Sequence, residues 1–215
     1  SESPSRGFSS SLGRAGGSRS GQFAAEGPIR IPRGPRNGYL RGMQGLVFYD
    51  DGHGHFGPMT DLRSAVDLRS GILTTAERLS RHLGLPMIGM IVPKSIEGVV
   101  AAAHPGVAVN LAPEGDGPFL VLNARLLEVP AGVAPALGTA LVDADDDSIG
   151  LALLGRSSLR ALIESRSLPA DVTPSTSANL PLARAAWDVF ATAGSRIASD
   201  LKLMASEVGL LIDPR

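Results

Sequence analysis

Leu46-Val47-Phe48-Tyr49 is an unbroken apolar run that stops at Asp50-Asp51-Gly52, the pattern of a short buried strand opening into an acidic, glycine-rich loop. Thr74 and Glu77 have the spacing of a capping box, Leu79 and Leu83 recur at helical spacing, and Gly84 ends the pattern, which predicts a helix over 75–83. Met87 to Val92 is apolar, too short for a helix and closed by Pro93, so it reads as a second buried strand. Ser95 is placed to cap a helix running through Ala103 and halted by His104-Pro105-Gly106. Val107 to Leu111 and Phe119 to Leu122 predict two further strands. Leu141-Val142 and the apolar run Ile149 to Leu154 flank the acidic cluster Asp143, Asp145, Asp146 and Asp147, as in a hairpin or edge pair. Leu159, Leu162 and Ile163 predict a helix ending near Pro169, and the Pro- and Ser/Thr-rich stretch 169–181 reads as a loop. Residues 182–206 set Trp187, Phe190, Ile197, Leu201 and Met204 at helical spacing with Gly194 as a break. Trp187 is expected to be buried on that stripe, with Trp187→Ala costing about 3–5 kcal/mol. Strands alternating with helices imply an α/β fold, a mostly parallel sheet with helices on both faces.

Residues 1–42 share none of this periodicity. They read as a disordered Ser/Gly/Arg-rich leader before a single domain over 43–215. The leader carries seven arginines against Glu2 and Glu26, a charge of +5, which leaves −6 on the rest of a chain whose net charge is −1. Its composition favours an inert extension over a transit peptide or a nucleic-acid-binding arm, so nucleic acid is not an expected partner. Hydrophobic residues make up 43% of the chain and aromatics only 4%, so the core is expected to consist of Ala, Leu, Val and Ile. The absence of cysteine excludes disulfides, thiolate metal sites and Cys nucleophiles, and suits a reducing, cytoplasmic location. No apolar run approaches the roughly 18 residues of a membrane-spanning helix.

In open α/β sheets ligands bind beyond the carboxyl ends of the strands, which directs the search to the loop after the first strand. From Asp50 to Gly71 it offers Asp50, Asp51, His53, His55, Thr60, Arg63, Asp67 and Arg69, with Gly52, Gly54, Gly57 and Gly71 allowing close backbone approach. Glycine amides and a guanidinium contact phosphate oxygens, and carboxylates hold Mg²⁺, so the mixture suits a phosphorylated substrate. His53-Gly54-His55 on a flexible turn reads as solvated rather than metal-bound. The Asp143–Asp147 cluster lacks EF-hand spacing and reads as a solvated turn. The chain has no G-x-S-x-G, H-E-x-x-H or G-x-x-x-x-G-K-[ST] segment, and no G-x-G-x-x-G is read in it, so the familiar hydrolase, metalloprotease and P-loop routes have no support.

The run Gly57-Pro58-Met59-Thr60-Asp61-Leu62-Arg63 through Asp67-Leu68-Arg69-Ser70-Gly71-Ile72-Leu73-Thr74 resembles the "PLT-x-x-RP-x-x-x-LR-x-G-I-L-T" signature of a sugar nucleotidyltransferase family whose members usually carry a C-terminal left-handed β-helix. That layout is similar to the bifunctional N-acetylglucosamine-1-phosphate uridyltransferase/acetyltransferases. Asp50-Asp51, Leu122-Asn123-Ala124-Arg125-Leu126-Leu127 and Trp187-Asp188 agree in order with further family segments, so the resemblance covers about 46–205. It implies a nucleotide-diphospho-sugar transferase-like (Rossmann-like) fold. It also implies the reaction NTP + sugar 1-phosphate → NDP-sugar + pyrophosphate, with Mg²⁺ as cofactor. By motif position Arg63 is the expected catalytic cation at the phosphates. Asp50, Asp51, Gly57, Thr60, Arg69, Gly71, Asn123 and Arg125 are the expected substrate- and nucleotide-binding residues, and Asp51 with Asp143 the expected metal ligands.

Departures from the pattern bear on activity. Ser64 stands where the family has proline, and the G-x-G-T-R loop of the better-known enzymes is absent. Asn123 stands where those enzymes place a Mg²⁺-binding aspartate; a neutral amide does not offset divalent charge. No hexapeptide repeats follow. The alternative function is a non-catalytic nucleotide- or sugar-phosphate-binding module of a larger assembly, in which oligomerisation is compatible.

Overall fold

The computed structural model describes residues 42–130 and 133–207. The predicted leader, apart from Gly42, lies outside the described residues. Seven strands form one sheet: β1 (Leu46–Tyr49), β2 (Met87–Ile91), β3 (Ala108–Val109), β4 (Phe119–Asn123), β5 (Thr139–Asp143), β6 (Ile149–Leu154) and β7 (Thr173–Ser177), in the spatial order β3-β2-β1-β4-β6-β5-β7. Every neighbouring pair is parallel except β4–β6 and β5–β6, so β6 alone runs against the rest. The carboxyl ends of β1, β2, β4, β5 and β7 therefore share one edge of the sheet, and the loops that leave this edge carry the candidate residues.

Side chains alternate across the sheet and are buried on both faces, as a mostly parallel sheet requires. Leu46, Phe48, Met90, Leu120 and Leu122 pack with Ala76, Leu79 and Leu83 of α1 (Thr75–Leu83) and Val100 of α2 (Glu97–Ala103). Val47, Tyr49, Ile91, Phe119 and Val121 pack on the other face with Leu159 and Leu162 of α3 (Arg156–Ser165). The chain closes with α4 (Ala186–Ala191) and α5 (Ala193–Glu207).

The α1 prediction holds to the residue. Thr74 Oγ1 accepts from the Glu77 amide at 3.1 Å, Glu77 Oε2 accepts from the Thr74 amide at 2.7 Å, and Gly84 closes the helix at φ 66°. Removing one arm of that box should lower stability by about 1 kcal/mol; Thr74→Ala followed by chemical denaturation measures it, with an unchanged midpoint as the contrary result.

Other expectations change. The 169–181 stretch contains β7, not only loop: Pro174 lacks an amide to donate but sits on a strand at the sheet edge that pairs with β5 alone among the described residues, where the missing donor is tolerated. β5 and β6 form the expected antiparallel hairpin across the acidic turn, but the pair is interior, because β4 lies beyond β6 and β7 beyond β5. Ser95 caps nothing. It falls inside a 3₁₀ turn (Lys94–Ile96), and α2 begins at Glu97. The break in the last helical stretch falls at Thr192 rather than Gly194. Trp187 is 68% exposed and Phe190 60%, which reverses the expected burial: Val189, Arg196 and Asp200 are the residues that α4 and α5 bury. Apolar periodicity places the large side chains inward, whereas the inward face of α5 is ion-paired through Arg196 and Asp200.

Candidate active site

Asp50 and Asp51 leave β1 pointing into different networks. Asp50 is buried; its Oδ2 accepts from Ser64 Oγ at 2.6 Å and the Ala65 amide at 2.9 Å, and its Oδ1 from the Gly52 amide at 3.1 Å. Ser64, standing at the family's proline position, thus caps the 3₁₀ turn Ala65–Asp67 and fastens the signature segment to the end of β1. Asp51 meets Arg125, which binds it through both Nε (3.1 Å to Oδ1) and Nη2 (2.7 Å to Oδ2), with both side chains almost fully buried.

Asn123, the last residue of β4, completes this network. Its Nδ2 donates to Asp51 Oδ2 at 2.9 Å and to the Ile149 carbonyl at 2.8 Å, while its Oδ1 accepts the Arg125 amide at 2.9 Å. Burial would raise the Asp51 carboxyl, but the Arg125 hydrogen bonds and charge, the Asn123 amide and the His53 backbone amide outweigh it and hold it below the usual aspartate value. Asp51 is thus ionised at neutral pH and saturated with donors, the state of a structural carboxylate rather than a general base.

A second acidic layer lies at the β5–β6 turn. Arg125 Nη2 also donates to Ser148 Oγ at 2.7 Å and lies 3.7 Å from Asp146 Oδ2. Arg184 reaches the same turn, pairing with Asp143 (2.9 Å), Asp145 (3.0 Å) and Asp146 (3.2 Å). The cluster expected to be a solvated turn is therefore tied to the chain segment that precedes α4. Asp143 Oδ2 is the exception: it is buried and has no hydrogen-bond partner among the described residues.

The loop after β1 walls a concavity with two lobes of ≈310 Å³ and ≈380 Å³, which share Asp50, Asp51, His53 and Pro93. Lys94 and Arg166 border the first lobe, and Gly52, Gly54, Thr60 and Ala65 border the second. Gly52 (φ 72°) and Gly54 (φ 94°) occupy the left-handed region that side chains resist, and a Cβ on Gly54 would strike the Phe56 ring at 2.3 Å. Gly52-His53-Gly54-His55-Phe56-Gly57 has G-x-G-x-x-G spacing directly after a strand, which corrects the sequence reading that no such segment is present. No helix begins at this loop, so the dinucleotide-binding context of that motif is not met.

Of the expected residues, Asp50, Asp51, Thr60, Asn123 and Arg125 converge at this edge, with Asp143 joined to them through Arg184 and Asp146. Arg63 is exposed, borders neither lobe although its chain neighbours Thr60 and Ala65 border the second, and makes no hydrogen bond or ion pair among the described residues. Gly57 is exposed and borders neither lobe. Arg69 and Gly71 also lie off the lobes: Arg69 donates to the Ile72 carbonyl beside Glu77, and Gly71 abuts α5, where a Cβ would come within 2.6 Å of Asp200 Oδ2. Gly71 thus permits close packing on α5 within the bend that leads from Arg69 to Thr74. His53 is exposed, with Nδ1 3.4 Å from Ser148 Oγ, and the described residues contain no group of three His, Asp or Glu arranged for a metal. The sequence reading missed Lys94, Arg166, Ser148 and Arg184. Lys94 was findable, since it directly follows Pro93 at a strand's carboxyl end; the other three carry no local signal.

A seven-stranded, mostly parallel sheet with a polar cleft at the carboxyl ends of β1 and β2 defines a nucleotidyltransferase-like, Rossmann-like α/β protein. A family model described as sugar nucleotidyl transferase matches residues 46–208, and the chain belongs to that family. No curated protein and no solved structure gives a significant match. No helix among the described residues is long and apolar enough to cross a membrane.

Proposed function

We propose that the chain catalyses NTP + sugar 1-phosphate → NDP-sugar + pyrophosphate in the cleft above β1 and β2. A phosphate oxygen of the sugar phosphate attacks the α-phosphorus, the bond to the β-phosphate breaks, and pyrophosphate leaves with its electron pair. Such a reaction needs positioning and charge neutralisation more than covalent chemistry from the protein. The observation that carries the reading is the concavity at the carboxyl ends of β1 and β2 bordered by Lys94 and Arg166, with the unpartnered Arg63 on the loop that supplies Thr60 and Ala65 to it. The Gly52 and His53 amides are taken by Asp50 and Asp51, so phosphate charge falls to these cations.

Mg²⁺, implied by the family, suits only part of the expected ligand set. Both Asp51 oxygens are engaged by Arg125 and Asn123, whereas Asp143 Oδ2 is buried without a partner. Asp143 would hold the ion, which when bound supplies counter-charge to phosphates; one carboxylate plus substrate phosphates is a common Mg²⁺ environment.

The second reading, a binding module without catalysis, draws on Asn123, whose amide is consumed by the Asp51–Arg125 network. Pyrophosphate release, measured with each NTP, Mg²⁺ and a panel of sugar 1-phosphates, separates the two. Release by the wild type, with Arg63→Ala losing more in turnover than in nucleotide binding, is expected. Nucleotide binding without release supports the module. Neither binding nor release, with Arg63→Ala inert, overturns the site.

A further inference from the structure

Four of the large hydrophobic side chains exposed on the described surface lie on α4 and α5: Trp187 (68%), Phe190 (60%), Ile197 (43%) and Leu201 (55%). Thr192 alone separates the two helices, at φ −94° and ψ −1°, and its carbonyl accepts the Arg196 amide at 3.0 Å as α5 begins. At 100° per residue the four side chains share one face, together with the exposed Gly194. Trp187, Phe190, Gly194, Ile197, Leu201 and Met204 follow one another at spacings of three and four, the repeat of a helix-pairing seam. Ala191, Ala198 and Ala205, all exposed, flank it on one side, and Ala193, the buried Asp200 and Glu207 on the other; no seam position is charged.

We infer that this face is the two-fold interface between two copies of the chain, with α4–α5 of each packed antiparallel and crossing at Gly194. An uncharged seam is self-complementary, since a two-fold brings no like charges together. Trp187 and Leu201 are each seven residues from Gly194, so a two-fold there seats Trp187 of one copy on Leu201 of the other. Gly194 and the flanking alanines let the backbones approach closely. The apolar patch is on the order of 400 Å² per copy, a size that on folded proteins often marks a functional surface, and it fits as the core of an interface that buries about 800 Å² per partner. Arg196 and Asp200, the charged groups at the centre of α5, face the body of their own copy and are not available to a partner.

The full chain should sediment with about twice its mass of 22.2 kDa at micromolar concentration. Emission from the only tryptophan should move to the red on dilution as Trp187 returns to water. The double variant Phe190→Glu/Ile197→Glu should be monomeric with unchanged helix content. Because the chain has no cysteine, Gly194→Cys gives a register test. An added side chain there meets nothing within 4 Å in the monomer, and oxidation should cross-link two copies. Gly98→Cys, equally open, is the control and should not. A monomeric wild type, a dimer that survives the double variant, or cross-linking at Gly98 equal to that at Gly194 overturns the inference.

Discussion

Asp200→Ala should unfold about 3–5 kcal/mol more easily than the wild type, the cost of leaving a buried guanidinium without its counter-ion. Asp200 has no exposed side-chain surface; its Oδ1 accepts from Arg78 Nε at 2.7 Å and its Oδ2 from Arg78 Nη2 at 2.9 Å. The same Oδ2 accepts the amides of Ile72 (2.9 Å) and Leu73 (3.0 Å), so one carboxylate on α5 fixes the end of the signature segment. Burial would raise this carboxyl; the Arg78 hydrogen bonds and charge and the two amides overcome it and leave it lowered. A carboxyl lowered in the folded state stabilises above its unfolded value and loses that contribution as pH falls through the folded one. Wild-type stability should therefore decline below about pH 4, the unfolded aspartate value, and Asp200→Asn should lack that part of the decline. Denaturant titrations of both proteins across pH measure it. Replacing both partners, as Arg78→Met with Asp200→Leu, should recover most of the loss; a double variant as unstable as Asp200→Ala would show that the backbone amides, not the ion pair, carry the effect.

This pair explains what the sequence made visible and what it hid. Local rules sufficed where one segment contains all the partners. The Thr74–Glu77 box fixed α1, and the apolar runs ending at Asp50, Pro93 and Asn123 marked strands whose carboxyl ends build the cleft. The signature segment was identified correctly, yet Arg69 and Gly71 were read as facing phosphate. Their partners are Ile72, Glu77 and, 129 positions from Gly71, Asp200. Sequence spacing carries no sign of such contacts. Trp187 failed for a related reason: periodicity identifies an apolar face but not which side meets the sheet, and a buried Arg78–Asp200 pair inverts the ordinary assignment. Asn123 was expected to face nucleotide, and the structure uses its whole amide to hold Arg125 and Asp51, an arrangement visible only once β1, β4 and β6 are side by side.

Asp143→Asn should lower turnover in the proposed reaction by about 100-fold or more, since charge neutralisation at a transferring phosphoryl group supplies several kcal/mol. Asp143 Oδ1 accepts from Arg184 Nη2 at 2.9 Å and from the Asp145 amide at 3.0 Å, while Oδ2 faces no donor among the described residues. A buried carboxylate oxygen without a partner is a stability cost unless something absent from the chain completes it. Asparagine keeps an acceptor for Arg184 and Asp145 but removes the negative charge. Folding stability should therefore stay within about 1 kcal/mol of wild type while activity falls. The Mg²⁺ concentration needed for half-maximal nucleotide binding should rise in the same variant, a readout that does not depend on turnover. Arg184→Met, which removes the competing cation beside the carboxylate, should move it in the opposite direction. If Asp143→Asn instead turns over at the wild-type rate with the same Mg²⁺ requirement, the open oxygen is not a metal ligand. If it unfolds readily with Mg²⁺ binding intact, the carboxylate serves Arg184 alone, and the charge at the phosphates must come from the cations of the cleft wall.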